Sequence, residues 1–142
     1  MSRLAVFTLC ALVSGCLLHS PAAWTVSVDQ SRTDPAAPTA DAPVAVVFRV
    51  TCQRTGGSGN KPVKIRVAAR LVGKLKVYTG EVDCSVTDSP QEGVTFLGLG
   101  RIDLGKLPPG RYQVELTFSA FGEGWTMPPP HPIDFTVADA GR

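Results

Sequence analysis

Four cysteines, two histidines and scattered carboxylates are the residues of this 142-residue chain with chemistry to offer. Catalysis needs a base within hydrogen-bond reach of the group it activates. His19 and His131 are the two imidazoles, and His131 sits within Pro128-Pro129-Pro130-His131-Pro132, the setting of a solvated loop residue. Its spacing permits a Ser/His/Asp set, yet no serine stands in a nucleophile elbow. Glu81 and Asp83 alternate onto one strand face, the ordinary behaviour of carboxylates on a wet sheet surface. Neither Cys52 nor Cys84 has a His or Cys neighbour at ligand spacing, so no metal is expected. The chain reads as a non-enzyme without a cofactor.

Cys16 has a different context. Arg3 gives a short positive start, Leu4 to Leu12 is an apolar run too short to span a bilayer and stay there, and Val13-Ser14-Gly15 precede the thiol. Val13-Ser14-Gly15-Cys16 resembles the lipobox of bacterial lipoproteins, in which a diacylglyceryl group joins the cysteine and the leader is cut just before it. The resemblance implies a lipoprotein signal peptide over 1–15, lipidation at Cys16 and a lipidated tether over 16–23. An ordinary signal peptide, cut near Ser20-Pro21-Ala22 or Ala23, is the alternative, and His19, Ser20 and Pro21 end the apolar run too early for a retained helix. Leu17 after the cysteine, in place of Asp, implies the outer membrane, with the periplasmic or cell-surface face open. Membrane lipid is thus one partner. Each buried methylene contributes about 0.8 kcal/mol, so two or three acyl chains hold a protein on a bilayer.

The same resemblance removes Cys10 with the leader and commits Cys16 to lipid. Cys52 and Cys84 then remain as a pair, which an oxidising envelope implies is a disulfide. Closing a loop of that length contributes about 3–4 kcal/mol.

The elements that must position these residues are short and extended. Few aromatics, many Gly and Pro, and frequent Val and Thr favour strands, and no stretch keeps a helical period. Trp24-Thr25-Val26-Ser27-Val28 predicts a first strand, and the Pro-rich 34–43 segment a connector. Val44 to Gln53 predicts a second strand with Val44, Val46, Phe48, Val50 and Cys52 inward. After a Gly-rich loop over 54–62, Val63 to Val72 alternates with Ile65, Val67, Ala69 and Leu71 inward. A turn at Gly73-Lys74 leads to Leu75, Val77 and then Tyr78, Val82 and Cys84, whose change of parity predicts a bulge at Gly80. A loop over 88–93 precedes a Gly-punctuated apolar stretch, Val94 to Leu104. Leu107-Pro108-Pro109-Gly110 predicts a type II turn. Tyr112, Val114, Leu116 and Phe118 then alternate inward, Gly122-Glu123-Gly124 predicts a hairpin closure, and Ile133, Phe135 and Val137 a last strand. The expected architecture is an all-β, antiparallel sandwich over 24–138 with a short tail over 139–142.

Leu107-Pro108-Pro109-Gly110-Arg111-Tyr112-Gln113-Val114 is similar to the turn and penultimate strand of bacterial immunoglobulin-like and fibronectin-III-like modules. The resemblance implies an immunoglobulin-like β-sandwich, a tyrosine-corner role for Tyr112 and a core role for Val114. The chain departs from that pattern in lacking a core Trp on the third strand and in placing its second cysteine at Cys84. A transthyretin-like sandwich is the nearest alternative. Fold analogy carries no activity.

Two surfaces invite partners. A formal charge of +2 is too small to argue for nucleic acid. Yet Arg54, Lys61, Lys64, Arg66, Arg70, Lys74 and Lys76 fall in one segment without an acid among them, suiting an anionic glycan or lipid. Basic residues on a strand also discourage edge-to-edge pairing, the plainer reading. Phe121, Trp125 and Met127, stiffened by prolines, offer an apolar contact for a partner protein, or Trp125 closes the end of the core. The functional expectation is a non-catalytic, lipid-anchored accessory module docking on an outer-membrane assembly for secretion, motility or surface structure. Anionic glycan or lipid binding through 54–76 is the alternative, and a protease-inhibitor reading rests on fold analogy alone.

Overall fold

A computed structural model describes residues 21–87 and 94–140. The expected leader, Cys16, most of the tether and the loop at 88–93 lie outside the described residues. Eight strands and no helix occur among them: β1 (Ala23–Asp34), β2 (Val44–Thr55), β3 (Val63–Leu71), β4 (Val77–Val86), β5 (Val94–Gly105), β6 (Gly110–Ser119), β7 (Trp125–Thr126) and β8 (His131–Val137). They form one mixed sheet in the order β7-β1-β2-β5-β4-β3-β6-β8, curled into a half-barrel. All pairings are antiparallel except the two-residue contact of β7 with β1 and a bridge between Thr39 and Ala138.

Period-two alternation sets the curl, because one face of each strand is apolar and must be covered. β2 buries Val44, Val46, Phe48, Val50 and Cys52, β3 buries Ile65, Val67, Ala69 and Leu71, and β6 buries Val114, Leu116 and Phe118. β2 and β6 are far apart in the sheet order, yet the Phe48 and Phe118 rings meet edge-on with centroids 5.8 Å apart. β4 makes the turn between the two halves. It pairs with β3 from Val77 to Cys84 and then with β5 at Ser85 and Val86.

Several expectations are corrected. β4 keeps unbroken register with β3 through Gly80, so there is no bulge there. The apparent parity change arises because Leu75, in the β3–β4 connection, and Val77, the first residue of β4, project outward, and inward alternation begins only at Tyr78. The bulge lies in β1, between Asp29 and Arg32, where Gln30 takes φ 51° and the strand resumes pairing through Asp34. Gly110 opens β6 with φ 153°, far from the roughly +80° a type II turn requires, so residues 107–110 form an open connection. Gly122 and Gly124 do not close a hairpin. They carry the chain from β6 across to β1, where Trp125 pairs beside Trp24, before it returns to β8.

The Gly-punctuated stretch is one unbroken strand, β5. A methyl group at Gly100 would intrude on the Phe48 ring, and one at Gly98 would stand 2.8 Å from Cys84 Sγ. The missing side chains are what let Phe48 and Cys84 lie across β5.

Candidate functional site

Register divides the molecule into two ends. At the first, Ala23 of β1 opposes Thr55, Trp24 opposes Arg54, Arg54 opposes Val94, and Val63 opposes Cys84. This end receives the chain at residues 21–23, the described part of the expected tether, so we call it the tether end. β3 spans nine residues from there to Leu71, roughly 27 Å, and the β3–β4 hairpin lies at the distal end.

At the tether end an aromatic cluster is built on β1, β5 and β7. Trp24 stacks on Trp125 with centroids 4.7 Å apart and tilts against Phe96 at 5.1 Å. The parallel pairing of β7 with β1, and a hydrogen bond from Trp24 N to Gly124 O, hold the indoles in register. Trp125 and Met127 therefore pack against the core, while Phe121 alone of the three expected contact residues is broadly exposed, at 91%.

Arg54 completes the cluster. The Val44-to-Cys52 alternation continues one step further and turns Arg54 inward, leaving it 7% exposed. Its guanidinium lies 5.6 Å from the Trp24 ring and 5.5 Å from Phe96. Nη1 donates to Gly59 O at 2.6 Å and Ser58 O at 3.4 Å, drawing the Gly-rich loop over it. Nε is buried without a hydrogen-bond partner, and among the described residues no carboxylate forms an ion pair with this cation. Beside it opens a cleft of about 420 Å³, with Lys61 on its wall. Parity, extended two residues past Cys52, was the sequence signal for this site.

Lys64, Arg66 and Arg70 of the expected basic stripe share the exposed face of β3, while Arg54 turns inward. Lys64 pairs with Glu81 at 3.2 Å and Arg70 with Glu115 at 3.8 Å, so cross-strand acids answer two of its cations. Arg66 stands opposite Glu81 in register. Lys74 and Lys76 flank the fully exposed Leu75 at the distal hairpin tip, with Lys76 Nζ 4.8 Å from the Tyr78 ring. Gly73, with φ 85°, and the bond from Lys74 N to Leu71 O make the turn tight and present Val72, Leu75 and Val77 outward.

Cys52 and Cys84 are both buried, on strands separated by β5, and are free thiols in the structure. The expected bridge is not formed there. The neighbouring Cys84 thiol, with burial, pushes Cys52 upward, while Cys52 draws Cys84 below its ordinary value. Among the described residues no cluster of His, Cys, Asp and Glu could hold a metal ion.

His131 is not a free loop residue but the first residue of β8, with Nε2 2.7 Å from Ser31 Oγ in the β1 bulge. This contact and the bonds joining Ala138 to Pro38 and Ala40 tie β1 and its following loop to β8. A second cleft, of about 580 Å³, flanks the bulge between Val47, Leu99 and three arginines. Two of these are satisfied: Arg49 grips Asp29 through two bonds, and Arg101 reaches Asp34 at 2.6 Å and Asp103 at 3.2 Å. Comparison with family models, characterised proteins and solved structures finds no match for the chain.

Proposed function

We propose that the chain is a non-catalytic lipoprotein of the bacterial outer membrane, acylated at Cys16, whose immunoglobulin-like sandwich docks an envelope protein partner. The fold reading is supported by the pairing of β1, β2 and β5 on one side and β3, β6 and β8 on the other, with β4 passing between them. Tyr112 adds to it, since its hydroxyl donates to Pro108 O at 2.6 Å, the bond that defines a tyrosine corner.

One observation carries the docking reading: the distal hairpin presents Val72, Leu75 and Val77 to solvent, with Lys74 and Lys76 beside them, at the end away from the tether. A tethered domain meets its partners with the end its anchor leaves free. An exposed leucine on a tight turn is the kind of side chain that seats in a partner's pocket and is flanked by charges at the rim. The pairing of Lys64 and Arg70 with acids favours this over a polyanion bound along β3.

The test joins two measurements. Intact mass of the mature protein is expected to show an acylated Cys16 at the amino terminus; an unmodified terminus downstream of it ends the anchoring claim. A photoreactive residue in place of Lys74 is expected to capture one discrete protein in native envelopes, and loss of capture when Leu75→Asp is added to that chain supports the contact. No captured species refutes it. In the same exported protein, a thiol oxidant of the envelope is expected to remove one proton and one electron from each of Cys52 and Cys84 to form the disulfide. Alkylation of both thiols without prior reduction would refute that bridge.

A further inference from the structure

We propose that Arg54 and Lys61 form an oxyanion site at the tether end, taking a phosphate group. A buried guanidinium is costly unless its charge and its donors are answered. Here they are answered only in part. Nη1 is used by two loop carbonyls, the ring faces of Trp24 and Phe96 flank the plane, and Nε has no partner among the described residues. Nε lies on the edge of the guanidinium that grasps a bidentate oxyanion. Elsewhere in this molecule exposed arginines find carboxylates even at the surface: Arg49 finds Asp29, and Arg101 finds Asp34 and Asp103. Arg54, the most buried of them, has no such partner among the described residues.

The surroundings suit an anion. The cleft of about 420 Å³ is lined by Trp24, Arg54, Ser58, Gly59, Lys61 and Val63 among others, with two cations and, among the described residues, no acid. Its roof is the Gly-rich loop, where Gly56, Gly57 and Gly59 all have positive φ. The loop runs against the incoming chain, since a methyl at Gly57 would lie 2.8 Å from Ala22 Cβ. Loop and tether thus share a contact, and the loop can lift from Arg54 only at that contact's expense. A phosphate carries the charge and the paired oxygens that Arg54 and Lys61 lack, whether it comes as a free ion or on a lipid headgroup. The headgroup source rests on the anchoring proposed above; the free ion does not.

The chain carries its own reporter, because its only two tryptophans are Trp24, beside Arg54, and Trp125, stacked on it. Full-length protein titrated with inorganic phosphate is expected to show saturable change in tryptophan emission that chloride at equal ionic strength does not reproduce. Arg54→Lys keeps the charge but loses the fork, and is expected to weaken phosphate binding by about tenfold. Lys61→Gln lies on the exposed loop and leaves the cluster intact, so a weakening of about fivefold there separates binding from folding. In bilayers, phosphatidylglycerol but not phosphatidylcholine is expected to reproduce the change if the lipid is the source. Response to phosphate without response to either bilayer assigns the free ion. A titration that chloride matches, or one that Arg54→Lys and Lys61→Gln both leave unaltered, overturns the site. Since the phosphate arm needs no acyl chain, an unlipidated Cys16 would leave it standing.

Discussion

Arg54 at the tether end and Lys74 and Lys76 at the distal end are all cations set beside apolar side chains, yet their circumstances are opposite. Arg54 is held between the Trp24 and Phe96 rings under a loop that bonds to it, whereas the lysines project from a turn with Leu75 bare between them. Strand parity explains the difference. An even-numbered position on β2 must point into the half-barrel, and position 54 does so regardless of its charge. The lysines sit where the chain reverses and no second layer reaches. One end is therefore organised before any partner arrives, and the other is available to one. A preorganised cation suits a small ion, while a bare leucine suits a protein surface.

Truncation separates the two ends of the molecule most strongly. Phe96→Ala empties a fully buried site beneath Trp24 and is expected to cost about 3–5 kcal/mol of unfolding free energy. Leu75→Ala is expected to change stability by less than about 0.5 kcal/mol, because the side chain touches solvent alone. Chemical denaturation measures both. Equal effects would mean the hairpin packs on the body of the domain. Glycines repeat the contrast at smaller scale. Gly98→Ala presses a methyl against Cys84 Sγ and Val82 and is expected to cost about 1–3 kcal/mol by crowding. Gly73→Ala meets nothing within contact range and strains only its φ of 85°, about 1–2 kcal/mol. Tyr112→Phe removes one hydrogen bond to Pro108 and is expected to cost about 1 kcal/mol.

Much of this organisation was legible in the residues, and the parts that were not share a cause. β2, β3 and β6 alternate without interruption, so their inward faces follow from period two alone. Tyr112 and its bond to Pro108 follow from the turn sequence even though the turn type does not, because the hydroxyl needs only a nearby carbonyl. The misreadings fall where long-range pairing overrides local pattern. Gln30 and Ser31 bulge because β1 must reach both β2 and, through Ser31, His131 a hundred residues away. Gly122 and Gly124 lead to β1 instead of closing a hairpin because Trp125 has Trp24 to stack on. Leu75 and Val77 suggest a parity slip only if every apolar residue is assumed to be buried, which surfaces do not require. Arg54 was readable by parity and hidden by its charge.

Acid distinguishes the surface arginines from Arg54. The Asp29 carboxyl is held below its ordinary 3.8 chiefly by the Arg49 hydrogen bond, and that of Asp34 chiefly by the bond from Arg101. A depressed native value means the unfolded chain takes up the proton first. The stabilisation these pairs give is therefore complete above pH 3.8 and is lost as pH falls through the lower native values. Because both carboxylates are exposed, the contribution is small and screened by salt. Arg49→Met is accordingly expected to lower Tm slightly at neutral pH, with the gap to the parent protein closing in acid and in concentrated salt. A gap that survives in acid would mean the Arg49 stem, not its charge, holds β1 to β2. Arg54→Met is the matching experiment at the tether end. With no described carboxylate paired to Arg54, its effect on Tm in phosphate-free buffer is expected to stay level across the same acid range. Replacing an unanswered buried charge by an apolar side chain is also expected to leave Tm unchanged or raise it. If the Arg54→Met difference instead titrates with the carboxylates, an acid of the chain itself neutralises this cation, and the phosphate site has no vacancy to fill.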